Sequence, residues 1–240
     1  YPVRFATSWD ERVRHRAELS TLHDFAISRL GQIPHTAVDW LLTPGQSILE
    51  MTAGPVFHDD TGHLMQLRRR LQWYPHDVWL YVLACGWTRL SQDLPILNRT
   101  LQRGDRLSSD ILSGRIQQIL LHLAFMVEKR WPAYSKWAGS WLQKTHFGQN
   151  FAGLSRDRAL AAIHAKLPGI TAPATEPFYD RGYFTANQEV AQQLYDQIQD
   201  PQVAALPKGL GSIEQWSDNV NLVFNHQLRL RAAAVYSPRT

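Results

Sequence analysis

Cysteine is almost absent from this sequence. The single thiol, Cys85, has no partner for an internal disulfide, which points to a reducing compartment and a cytoplasmic protein. No run of about 18 apolar residues occurs, so no membrane span is predicted. No signal peptide is visible, and the first residue is Tyr1 rather than Met. The chain therefore reads as a processed or truncated product, and targeting is not legible from this end. Net charge is small too, a formal +4 with far more Arg than Lys. Nucleic-acid binding needs a clustered basic face or a stacking platform, so nucleic acid is not an expected partner. Alternating apolar and polar runs are scarce, and no internal repeat is found.

What is present is a large apolar fraction, 44% in 240 residues, with nine tryptophans. That suits one large domain or two small ones. The stretch from Trp73 to Trp137 organises the rest. Its opening, WYPHDVWLYVLACGW, predicts a helix that is apolar nearly all round from Val78 to Trp87, and such a helix is buried. Pro75 suits the first helical position, and Asp77 favours the positive end of the helix dipole. A second, amphipathic helix comes next, with a stripe of Leu112, Ile116, Ile119, Leu120, Leu123, Met126 and Val127 at helical spacing. Asp105 or Ser108 caps its start, and Pro132 is expected to stop it. Trp79, Leu83, Leu120 and Leu123 are predicted to be buried together. The fold class is thus mainly α, a multi-helix, bundle-like domain with at most a small hairpin around Val56 to Leu67.

Shorter elements are predicted on both sides of this centre. Pro2 to Ala6 is strand-like and reads as the end of an element preceding Tyr1. Helices are predicted over Val13 to Leu30 (closed by Gly31), Thr36 to Leu42 and Pro44 to Met51. Asp59-Asp60-Thr61-Gly62 forms a tight turn. Further helices are predicted over Ala133 to Lys144, Ser155 to Leu167 and Asn187 to Asp200, the last ended by Pro201, and then over Ser212 to about Leu230. Pro168 to Pro177 reads as a loop or linker. The expected organisation is a remnant of an upstream core at 1–12, a main helical domain at 13–167, and a C-terminal helical segment at 178–240 packed on it.

Several polar groups invite functional readings. His58, Asp59, Asp60 and His63 are metal-binding residue types, but consecutive residues point different ways and turn chemistry accounts for them. Gly211-Ser212 with Asp218 suggests a metal-binding turn, yet a helix cap at Ser212 explains it with less. Cys85 lacks the basic neighbour that would make it a nucleophile. Arg68-Arg69-Arg70 reads as a solvated face or a phosphate or partner contact. No metal site is assigned. The most informative cluster is Gln92, Arg99, Asp105, Arg115, Arg130, Tyr134 and Lys136, polar residues set between apolar segments. Two readings apply. One is a structural ion-pair network in which Asp105 bridges Arg99 and Arg115. The other is an anion-binding wall.

YPHDVWLYVLACGW, NRTLQRGDRLSSDILSGRI and PAYSKW, in that order, resemble the domain-of-unknown-function 4037 family, the helical part of bacterial nucleotidyltransferase-like proteins. DWLLTPGQSILEMTAGPVFHDDTGHLMQLRRRLQWYP before them and FYDRGYFTANQEVAQQLYDQIQDPQVAALPKGLGSIEQWSDNV after them continue the likeness. The region after LQKTHFG departs from it. The resemblance implies an upstream nucleotidyltransferase-like core as partner, in which a Gly-Ser turn and paired acids hold Mg²⁺ and a nucleoside triphosphate. That core is not in this sequence, and Tyr1 to Phe5 looks like its last part. The function implied is a helical half that binds a small-molecule or nucleotide substrate. The alternative is a non-catalytic interaction or oligomerisation module. The expected binding residues are Arg99, Asp105, Arg115, Arg130, Tyr134 and Lys136. One compact ligand cannot span the helix between Asp105 and Arg130. Phosphate is therefore assigned to the Arg130–Lys136 end, with Lys136 as a point charge. The Asp105 end is structural or holds the acceptor.

Overall fold

The computed structural model describes residues 19–151, 153–171 and 181–237. The strand-like segment, the expected unit at 1–12, the first residues of the predicted first helix and most of the expected linker lie outside them. Among the described residues there are fourteen α-helices and no strand, so the chain is mainly α as the periodicity predicts.

The N-terminal helices are α1 (Leu22–Leu30), α2 (Ala37–Leu42), α3 (Gly45–Thr52) and α4 (His63–Arg70). Local chemistry sets their ends. Gly31 closes α1 at φ 79°, and its N–H donates to the Ile27 carbonyl. Thr36 and Asp39 cap α2 reciprocally, each satisfying a free backbone donor. The predicted turn before α4 forms at Gly62. It leads into a helix rather than a hairpin, because the Asp59 carboxylate accepts the N–H groups of Leu64 and Met65 at 3.4 and 2.9 Å.

The centre is α5 (His76–Gln102) and α6 (Arg106–Val127). Their three-residue connection makes them antiparallel neighbours. The Trp79 indole N–H at one end of α5 donates to the Met126 carbonyl at the far end of α6, 2.9 Å away. α5 runs through Pro95. Every residue from Val78 to Trp87 is buried, and Trp79, Leu83, Leu120 and Leu123 share one core. Asp105 caps α6 as expected, accepting from Ser108 N–H at 3.0 Å. α6 does not reach Pro132. It stops at Val127, and Lys129 turns the chain at φ 51°.

The remaining helices are α7 (Ser135–Leu142), α8 (His146–Phe151), α9 (Arg156–His164), α10 (Arg181–Asp196), α11 (Pro201–Ala204), α12 (Ile213–Trp216), α13 (Val220–Phe224) and α14 (His226–Ala232), with a 3₁₀ turn at Ala233–Tyr236. α10 packs along α5. Pro201 opens α11 rather than ending the preceding helix, with Asp200 as its cap. The single helix predicted from Ser212 is three short ones. Asn219 and Asn225 cause the breaks, their side chains accepting the first N–H groups of α13 and α14.

Candidate functional site

The expected binding residues do not form one wall. Arg99 and Asp105 are exposed, and Asp105 acts as a helix cap. Asp105 does not bridge Arg99 and Arg115. Arg115 pairs instead with Asp93 at 2.9 Å, its own side chain 54% exposed and that of Asp93 7%. Asp93 lies on α5 against α6, whereas the Asp105 carboxylate is turned to its own helix. α6 has 22 residues and is about 33 Å long at 1.5 Å per residue, so Asp105 and Arg130 are far apart, as expected. Beyond α6 the set divides again. Tyr134 lines one cavity and Arg130 another. Lys136 stands beside Tyr134, its ammonium 5.9 Å from the ring centre.

Two adjoining cavities of about 330 and 480 Å³ form a cleft between α6, the entry to α7 and the α12–α13 segment. Gln118, His122, Glu214, Ser217 and Asp218 line both and make its waist. The floor depends on a close approach of α5 to α6. A Cβ on Gly86 would lie 2.7 Å from Leu123 Cδ2, so only glycine fits without a shift. The α12 wall is tied to α5 by Gln215. Its Nε2 donates to the Val82 carbonyl at 3.1 Å, and its Oε1 accepts the Ser212 N–H at 2.8 Å.

One end of the cleft is polar, with Arg89 and Arg115, and His122 adjoins it at the waist. His122 Nε2 is enclosed and has no hydrogen-bond partner. Burial, aided by the Arg89 charge, lowers its pKa to about 4, so the ring is neutral at neutral pH. Burial also lowers the Arg89 pKa; Asp93 opposes that shift and Arg115 adds to it. At the waist, burial raises Glu214 to about 7, against the pull of the Gly45 and Gln46 N–H groups and the Arg229 charge. A carboxyl at that value both takes up and releases a proton near neutrality. The other end is apolar, with Leu121, Phe125, Val220 and Val223, and with Tyr134 and Phe224 as a pair of rings 6.3 Å apart. The cleft thus offers guanidinium groups for an anion, carboxyl and amide groups for hydroxyls or amines, and an apolar pocket for a ring.

Arg89, His122 and Glu214 were not singled out from the sequence. A signal for His122 exists: Arg115, Gln118 and His122 fall at i, i+3 and i+7, a polar stripe beside the apolar one on α6. The other readings resolve simply. Asp59 is a cap, and His58 meets Asp60 at 3.0 Å in the open. No group of three or more metal-ligating residue types gathers among the described residues. Cys85 is buried beside the Tyr195 hydroxyl at 3.3 Å, and burial pushes its pKa up to about 11. Arg68 donates to the carbonyls of Met51, Ala53 and Gly54. Arg70 donates to the carbonyl of Pro34.

Residues 40–138 match the family model described as domain of unknown function (DUF4037). No curated protein and no solved structure matches the chain. The matched segment supplies α5, α6 and the Tyr134 side of the cleft. The opposing wall, Glu214 to Phe224, lies outside it.

Proposed function

We propose that this chain, with its DUF4037 segment as scaffold, is the substrate-binding helical half of a nucleotidyltransferase-like protein and acts beside an upstream metal-holding core. The cleft carries this reading, because its groups fall in the order that a phosphorylated nucleoside needs. Arg89 and Arg115 face the anion, as guanidinium forks suit phosphate oxygens. Glu214, Asp218 and Gln118 accept or share protons of sugar hydroxyls. Tyr134 and Phe224 border the ring, and Lys136, beside Tyr134 and outside the cleft lining, adds a positive charge at that end. Mg²⁺ and the nucleoside triphosphate belong to the upstream core in this scheme. This chain positions the acceptor, and Glu214 is placed to take up a proton from its hydroxyl or amine.

Calorimetric titration of the chain with nucleoside monophosphates tests the reading. Saturable binding is expected, weakened about tenfold by Arg89→Ala through loss of a charge-assisted bond, and weakened also by Phe224→Ala. Absence of binding, or binding indifferent to both changes, rejects it.

A second reading has its own observation. Ile96, Leu101, Leu107 and Ile111 are exposed apolar residues on either side of the α5–α6 turn, Leu107 at 73%. Exposed apolar patches mark interaction surfaces, and this one suits association of the chain with itself. Light scattering that gives a monomer mass at every concentration removes that reading.

A further inference from the structure

We infer that a second groove, between α4 and the turn after α6, binds a short chain of phosphate groups. It is lined by Arg68, Arg69, Lys129 and Arg130 against Trp131 and Trp141, and encloses about 360 Å³. That is within the range of small-molecule sites. The inference does not depend on the cleft: the two share no lining residue.

The charge is one-sided. Four cations line the groove and no carboxylate does. The acids on the neighbouring elements are turned to partners of their own, Asp59 to the N–H groups of Leu64 and Met65. Glu128 holds Lys166 at 2.9 Å, and Glu50 faces Arg29 at 3.6 Å. Cations gathered without a counter-charge repel one another, and a multivalent anion relieves that repulsion most. A single carboxylate ligand relieves it least, which favours linked phosphates.

Two of the four cations are already held in place. Arg68 donates to three carbonyls at 2.8–3.0 Å, which leaves two of its five N–H donors for a ligand. The Lys129 ammonium sits 4.2 Å from the centre of the Trp79 ring, and Arg130, the next residue, lines the groove with it. Side chains ordered in advance lose less entropy when a ligand arrives. Arg69 and Arg130 are exposed and have no carboxylate partner among the described residues. They are the free arms. Trp131 is buried, its indole N–H donating to the Leu71 carbonyl at 2.9 Å. Together with the half-buried Trp141 it gives the groove an apolar wall, beside which a guanidinium–phosphate contact is strengthened.

The probe is inorganic triphosphate, titrated calorimetrically into the 240-residue chain at low ionic strength without divalent metal, with adenosine triphosphate as competitor. We expect saturable binding that weakens with salt, is shared competitively by both compounds, and falls about tenfold for each of Arg69→Ala and Arg130→Ala. Arg89→Ala in the cleft should leave it unchanged. Circular dichroism of the variants, which alter exposed side chains, verifies that they fold. No saturable binding of triphosphate overturns the inference. So does binding that survives the Arg69→Ala/Arg130→Ala double change, or that is lost with Arg89→Ala instead. Triphosphate binding that adenosine triphosphate cannot displace also overturns it. Failure of the cleft reading would appear separately, in nucleoside monophosphates and Arg89→Ala.

Discussion

The Glu214 carboxylate accepts the Gly45 N–H at 3.0 Å across 169 residues of chain. The contact is tight on both sides, since a Cβ on Gly45 would lie 2.7 Å from Pro132. One carboxyl thereby joins α3 to the α12 wall of the cleft. The same carboxyl is the group at the waist with the raised pKa.

Its titration sets a direction for stability. The carboxyl ionises ordinarily near 4.5 and in the fold near 7. Between those values the folded chain holds the extra proton. The resulting stabilisation is complete below about pH 4.5 and is lost as pH rises through about 7. Arg229 and Tyr74 also act on the carboxyl's surroundings. His122 works in the opposite sense, since its pKa is lowered. Comparison with Glu214→Gln isolates the carboxyl. In urea titrations the parent should lose roughly 1–3 kcal/mol relative to the variant between pH 5 and pH 8. An unchanged difference at the two pH values would show that Glu214 titrates normally.

Gly86→Ala should cost about 1–3 kcal/mol, because the new methyl meets fully buried Leu123 and the core overpacks. It should also disturb ligand binding in the cleft, whose floor Gly86 forms. Denaturant midpoints check the first effect; a variant as stable as the parent would mean that Leu123 gives way freely.

Leu83 is wholly buried in the first third of α5. Leu83→Ala should cost about 2–5 kcal/mol, the sum of lost transfer energy and a residual cavity. A shift within the error of a urea titration would contradict this packing.

Lys136→Ala should weaken nucleotide binding while stability stays within about 0.5 kcal/mol, as is usual for an exposed side chain. If the variant binds like the parent, Lys136 is no part of the site.

Arg115→Ala leaves the Asp93 carboxylate, already short of a partner at Oδ2, without its guanidinium. A loss of about 1–3 kcal/mol is expected, and Asp93→Asn in the same chain should recover part of it. Additive losses in that double-mutant cycle would show that the pair is uncoupled.

What was legible in the sequence is what neighbours in the chain decide. The apolar run of α5, the stripe of α6 and the cap at Asp105 all rest on residues within a turn or two of each other. The partner of Arg115 was not legible that way. Asp105 is nearer in sequence, but Asp93 lies across the α5–α6 packing and is the one it meets. The end of α6 was hidden for another reason. Pro132 is a visible stop, whereas a lysine in the left-handed region has no signature of its own. The cleft was hidden most, because its two walls meet only through long-range bonds such as Glu214 to Gly45 and Gln215 to Val82.

The left-handed turn at Lys129 has a consequence for how the molecule can change. From it onward, Lys129, Arg130 and Trp131 line one groove and Pro132, Ala133 and Tyr134 line the cleft, so six consecutive residues serve two surfaces. Substitutions that retune one surface need not touch the other. The two can therefore diverge independently on a common helical frame.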